Sequence, residues 1–200
     1  PDGGRIAYAR TREGRFAHRT DLWVCDADGG NARQLTRDFA IVMTPVWSPD
    51  GRWIAFSASE QEGDAQTGLY LLEAASGQVH HLCGRSLEVA DPESVHWTPD
   101  GGSLLLARAA RGRHQVVRVP VDGGMPQVLV GGNRQLAGFA AGGDHLFYVV
   151  EHPSQPSEVH ACGSEGEGER QLSDFNPWWR ERTPILAETW DFDVPDGRGG

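Results

Sequence analysis

The residues of this sequence that could do chemistry are its serines, a group of histidines and cysteines, and two aspartates in matching turns. A serine that transfers acyl groups sits on a tight strand-to-helix elbow, which requires Gly-x-Ser-x-Gly. The nearest segments are Gly84-Arg85-Ser86-Leu87-Glu88 and Gly101-Gly102-Ser103-Leu104-Leu105. Both lack the second glycine, so no catalytic residue is assigned. His80, His81, Cys83 and His96 are of the types that ligate zinc, but a structural zinc takes four ligands. Adjacent residues of a strand point to opposite faces, so only His81 and Cys83 share a side. Two ligands do not close a site, and neither a metal nor a cofactor is expected. Cys25 and Cys162 occupy a position held elsewhere by Leu72 and Val119, and read as small buried hydrophobes. Asp50 and Asp100 lie inside Pro-Asp-Gly turns, where turn formation accounts for them better than acid catalysis.

Composition narrows the function classes further. The 200 residues carry a formal net charge of −10, and an acidic surface repels phosphate backbones, so no nucleic-acid partner is expected. The small cluster Arg108, Arg111 and Arg113 reads as a solvated loop. No apolar run approaches the ~20 residues that span a bilayer, so no membrane partner is expected either. Three cysteines form no paired framework and favour a reducing compartment, here the cytoplasm. The 26 glycines and 12 prolines call for many turns, hence short strands.

Those strands are set out by an internal repeat. Val46-Trp47-Ser48-Pro49-Asp50-Gly51 precedes Trp53-Ile54-Ala55-Phe56, and His96-Trp97-Thr98-Pro99-Asp100-Gly101 precedes Leu104-Leu105-Leu106. Pro1-Asp2-Gly3 before Ile6-Ala7-Tyr8 is the same unit without its front. Phe139-Ala140-Ala141-Gly142-Gly143 before Leu146-Phe147-Tyr148 is a worn copy, which puts Phe139 at the position of Trp47 and Trp97 in the core. A second unit follows each first one: a strand, a glycine turn and another strand, the signal of a hairpin. Leu22 to Leu35, Leu69 to Leu82, Val116 to Leu129 and Val159 to Leu172 are each 13 positions, and the starts lie 47, 47 and 43 apart.

Four strands in ~45 residues is the size of a propeller blade. The expected fold is therefore all-β: about four four-stranded antiparallel blades, a partial β-propeller cut as an arc from a larger ring of seven or eight. Residues 1–172 form the blades, the first truncated at its N-terminus, and 173–200 form a linker and strand leading toward a further domain. The apolar runs after each turn are nearly continuous, as in strands buried on both faces. Strands are expected near 53–57, 69–73, 104–108, 116–119, 146–150 and 159–162, with no long helix. The Glu165–Glu169 stretch reads as a solvated hairpin loop.

These residues resemble the Pro-Asp-Gly propeller repeats shared by TolB-like proteins and the prolyl oligopeptidase family of serine peptidases. Pro153-Ser154-Gln155-Pro156-Ser157-Glu158-Val159 and Arg170-Gln171-Leu172-Ser173-Asp174-Phe175-Asn176 look like the entry and exit of a late blade in the acylaminoacyl-peptidase branch. Thr189-Trp190-Asp191-Phe192-Asp193-Val194-Pro195-Asp196-Gly197 resembles the strand leading into its hydrolase domain. The resemblance implies a non-catalytic propeller that gates and orients peptide substrates for a C-terminal α/β-hydrolase domain, which is then its partner. The isolated chain is expected to hydrolyse no peptide or ester. The alternative is a TolB-like propeller acting through protein contacts, which would be periplasmic. Trp178, Trp179, Arg180 and Trp190 lie outside the repeat and are the candidate interdomain contacts, since aromatics and arginine are enriched where surfaces dock. Trp190, Phe192 and Val194 alternate with Asp191 and Asp193, the pattern of a half-buried strand with no blade left to join.

Overall fold

The computed structural model describes residues 1–14, 18–63, 66–152, 154–183, 188 and 190. Helix among them is limited to short 3-10 turns, including Gly84–Ser86, Pro92–Ser94 and Pro177–Glu181. No helix among the described residues is long and apolar enough to cross a membrane. Everything else that is regular is strand.

The strands form separate antiparallel sheets, one per repeat. Blade one holds β1 (Arg5–Thr11), β2 (Thr20–Asp26) and β3 (Arg33–Gln34). Blade two holds β4 (Ile41–Trp47), β5 (Trp53–Ser59), β6 (Gly68–Glu73) and β7 (Val79–Leu82). Blade three holds β8 (Glu88–Val89), β9 (His96–Trp97), β10 (Ser103–Ala110), β11 (Arg113–Pro120) and β12 (Gln127–Val130). Blade four holds β13 (Gln135–Gly142), β14 (His145–His152), β15 (Gln155–Gly163) and β16 (Arg170–Gln171). Each expected strand is present, and the first blade has three strands where the second and fourth have four.

The Pro-Asp-Gly turns repeat in atomic detail. In blade two the Ser48 hydroxyl donates to Asp50 Oδ1 at 2.6 Å and accepts from the Trp53 amide at 2.8 Å. In blade three Thr98 makes the same two bonds, to Asp100 at 2.6 Å and from Ser103 at 3.0 Å. Each carboxylate also accepts from the backbone amide two residues on, Arg52 or Gly102. These bonds, the hydroxyl's first, hold both carboxyls below their ordinary pKa. Gly51 and Gly101 both stand at φ 69°, where a side chain would be strained. The two aspartates are turn formers.

The inner strand of each complete blade is interrupted near its middle. Thr44 in blade two (φ 40°) and Gly138 in blade four (φ 76°) stand two places after Val42 and Leu136, with two inner-strand residues opposing one on the next strand. In blade three the break is wider: β8 and β9 both pair with β10, separated by the Pro92–Ser94 turn. The worn copy departs from the expected register here. Phe139 pairs with Tyr148, whereas Trp47 pairs with Ile54 and Trp97 with Leu104. Gly142 and His145 close a tighter hairpin without the proline turn, which shifts Phe139 along the strand.

Blades pack face to face, and the core lies between them. One cluster joins blades one and two through Leu22, Phe39, Ile54, Phe56 and Leu72. Another joins two and three through Leu69, Leu71, Leu104, Leu106 and Val117, and a third joins three and four through Leu105, Val116, Leu136 and Leu146. A polar staple recurs with them. Thr20 Oγ1 donates to the Val42 carbonyl at 2.9 Å, and Thr67 Oγ1 to that of Val89 at 2.8 Å. His114 Nδ1 lies 3.2 Å from the Leu136 carbonyl, and since a carbonyl only accepts, that nitrogen carries the proton. Donors and acceptors each step by 47 residues.

The Glu165–Glu169 stretch is the largely exposed hairpin loop its composition suggests, but two of its carboxylates are held by arginines. Glu165 receives both terminal nitrogens of Arg118 at 2.7 Å, and Glu169 those of Arg134 at 2.5 and 2.6 Å. A Cβ at Gly166 would fall 2.2 Å from the Leu129 carbonyl, so the loop lies directly on blade three. The sequence shows the charge but not the arginines, which are 47 and 35 residues away.

At the two ends the repeat exposes what it buries elsewhere. Ile6 is 47% exposed while Ile54, its counterpart, is 0%. Phe147 is 39% exposed while Leu105 is 5%. Position within the arc, not residue type, makes the difference. Leu105→Ala should therefore cost about 2–5 kcal/mol in urea unfolding, and Phe147→Ala within about 1 kcal/mol. Equal losses at the two sites would contradict unpaired packing on the fourth blade.

Candidate interdomain surface

The surface in question begins where blade four stops. Its outward face carries the positions that elsewhere meet a following blade. Leu35, Leu82 and Leu129 all pack in or against the clusters between blades, whereas Leu172, at the same repeat position, is exposed. Phe39, after blade one, meets Phe56 and Tyr70 edge-on, with ring centroids 5.5 and 4.8 Å apart. Phe175, after blade four, is exposed. The chain thus leaves blade four as if to enter another.

One carboxylate fixes that exit. Glu158 accepts from the Phe175 amide at 3.0 Å and from the Asn176 amide and side-chain nitrogen at 3.1 and 3.2 Å. The Ser173 hydroxyl donates to it as well, and itself accepts from the Val159 amide at 2.8 Å. These donors, Ser173 first, hold the Glu158 carboxyl below its ordinary pKa. Asp21 holds the same place in blade one, where Arg12 grips it at 2.6 and 2.7 Å. Nothing in the sequence motif singled Glu158 out, but its position one residue before Val159, matching Asp21 before Leu22, was available as a signal.

The 3-10 turn Pro177–Glu181 follows directly. Trp179 turns inward: its indole donates to the Ser154 carbonyl at 3.1 Å, which anchors the turn to blade four. Trp178 meets Trp179 edge-on at 5.4 Å but stays 51% exposed. Arg180 pairs with Asp174 at 2.8 Å. Trp190 is 78% exposed, and the remainder of the expected 189–194 strand lies outside the described residues. Of the four candidate contacts, the structure brings Trp178, Trp179 and Arg180 together on one turn. Trp179 is committed to its own blade, which leaves Trp178 to present apolar surface beside Phe175 in sequence.

His80, His81 and His96 each pack against an aromatic ring. His80 lies edge-on to Trp53 at 5.6 Å, His81 stacks on Tyr70 at 4.2 Å, and His96 meets Phe139 at 5.2 Å. Burial pushes the His81 and His96 pKa down and those of the Cys83 and Cys162 thiols up, which favours neutral packed groups. Cys162 is buried as expected, but Cys25 only partly.

A model of the tricorn protease N-terminal beta propeller domain matches residues 10–160. An uncharacterized peptidase, YuxL of Bacillus subtilis, is 32% identical over 108 residues, 53% of this chain and 16% of that protein. The Tol-Pal system protein TolB of Alcanivorax borkumensis is also 32% identical over 108 residues, 54% of this chain and 24% of its own length. The chain thus spans about a quarter or less of these two relatives. Among solved structures, an acylaminoacyl peptidase of Pyrococcus horikoshii superposes with a TM-score of 0.67 at 17% identity, covering 89% of this chain and 27% of that one. That likeness shows the propeller fold.

Glu158 makes the exit turn sensitive to acid, and the sign follows from its lowered pKa. Its bonds are at full strength above the ordinary value of 4.5 and fade as pH falls through the lower folded-state value. Tryptophan emission should therefore report release of the turn only once the pH has fallen below the ordinary value of 4.5. In Glu158→Gln the turn should be loosened already at neutral pH, with that acid transition gone. An unchanged transition in the variant would assign it to another group.

Proposed function

Because the chain belongs to the tricorn protease N-terminal beta propeller domain family, we propose that it is the non-catalytic propeller portion of a serine peptidase. In this reading the blades gate and orient peptide substrates for an α/β-hydrolase domain that packs against the exit of blade four. The carrying observation is the pairing of exposed Leu172, Phe175 and Trp178 with an exit turn fixed by Glu158 and Trp179. An apolar surface held rigid loses little entropy on docking, which is what a stable domain contact needs. The sequence holds no Gly-x-Ser-x-Gly, so acyl transfer would come from the partner domain. The similarity to a peptidase in YuxL supports the same reading. Residues 173–200 then serve as the connection, and the unpaired cysteines are consistent with a cytoplasmic setting.

The similarity to TolB supports a second reading, a propeller that works through protein contacts alone in the periplasm. The coding sequence after residue 200 separates the two. A hydrolase domain with Gly-x-Ser-x-Gly is expected, and a stop codon there would favour the second reading. In the longer protein, Trp178→Ala and Trp190→Ala should each change peptidase activity or the size of peptide accepted. The isolated chain should show no turnover with aminoacyl or acyl-peptide chromogenic substrates. Turnover that survives repurification and is blocked by a serine-directed inhibitor would overturn the non-catalytic assignment.

A further inference from the structure

The boundary between blades three and four lacks a side chain that the earlier boundaries have. Trp47 and Trp97 each end an inner strand, paired with Ile54 and Leu104, and each turns its indole toward the preceding blade. The Trp97 indole donates to the Val46 carbonyl at 3.1 Å, and the guanidinium of Arg5 lies 4.9 Å from the centre of the Trp47 ring. In blade four the residue at that pairing position is Ala141, opposite Leu146. Phe139 sits two residues further back along the strand, where it meets His96. The proline of the turn is missing as well. A Cβ at Gly101 would fall 3.6 Å from Pro49, whereas one at Gly143 would meet nothing within 4 Å.

What an indole and a proline ring fill elsewhere is here a cavity of about 460 Å³, within the size range of small-molecule sites. Leu105 and its cross-strand partner Arg118 line it from blade three, and Ala141 and Leu146 from blade four. Both terminal nitrogens of Arg118 are taken by Glu165 at 2.7 Å, which balances its charge. A guanidinium is planar and stacks on aromatic rings. The rim adds the carboxylates of Asp100 and Asp144, and that of Asp144 has no partner among the described residues. We propose that this cavity binds a small aromatic amine, a flat ring about the size of an indole carrying one ammonium group. The ring takes the place of the missing tryptophan, against Leu105 and Arg118, and the ammonium faces the rim carboxylates. Burial of the ring supplies the affinity, and the acidic rim selects a cation over an anion. The β15–β16 turn lines this cavity, and β16 runs from it toward the exit turn, so the site lies at the other end of blade four. It does not depend on the domain contact proposed above.

Tryptamine is the probe. Added to the full chain it should bind saturably, with a Kd of about 1 mM or tighter, and its ring current should shift the methyl resonances of Leu105 and Leu146. Indole-3-acetate, the same ring with the opposite charge, should bind at least about tenfold more weakly. Ala141→Trp gives blade four the side chain that blades two and three carry at this position. It should abolish tryptamine binding while the circular dichroism spectrum stays that of the parent chain. Asp144→Asn should weaken tryptamine about threefold without weakening indole-3-acetate. Methyl resonances unmoved at about 10 mM tryptamine would overturn the proposal, and so would equal affinity for the two indoles. Undiminished binding in a folded Ala141→Trp chain would overturn it too. Should that variant fail to fold, Asp144→Asn decides, because an unchanged tryptamine affinity there removes the site.

Discussion

Every stable part of this molecule depends on one constraint: a blade buries its second face only against another blade. A four-stranded sheet has two apolar faces here, as the runs Ile54-Ala55-Phe56 and Leu104-Leu105-Leu106 show, and neither can stay in water. The clusters are accordingly all between blades, and the side chains alternate between the neighbour before and the neighbour after. Leu104 and Leu106 face blade two while Leu105 faces blade four. Stability is thus a property of the stack more than of any blade.

Much of this could be read from the sequence because a repeat is a measurement made several times. The strands after each turn, the hydroxyl–aspartate–glycine geometry at 48–51 and 98–101, and the spacing of the blades all follow from registered repeats and turn chemistry. What could not be read is what the repeat does not hold constant. The staple position is Thr, Thr and then His, three residues with one shared ability to donate. The register of Phe139 slipped because the fourth turn lost its proline and closed with fewer residues.

The candidate surface was legible only in outline. Tryptophans outside a repeat mark something other than blade packing, and Trp178, Trp179 and Arg180 do fall on one turn. Which of them faces inward depends on the Ser154 carbonyl, 25 residues away, and no local pattern encodes that. Glu158 was hidden for a similar reason. Its carboxylate gathers donors from Ser173, Phe175 and Asn176, a cluster that exists only once the hairpin between them has closed. The acidic loop at 165–169 is a parallel case with charge, since Arg118 reaches it from blade three and Arg134 from the entry to blade four.

The staples have a bearing on how such a chain comes off the ribosome. Thr20, Thr67 and His114 each find their acceptor 22 residues further along, on the first strand of the blade that follows. A blade emerging during synthesis therefore has its strands before it has its lock, and the lock arrives with the opening of its successor. Assembly is vectorial, with each unit held provisionally until the next begins. At ~5–20 residues per second the wait is on the order of a few seconds, long compared with hairpin closure in microseconds. During that interval an apolar face is open to water or to a chaperone, and the order of translation decides which face it is.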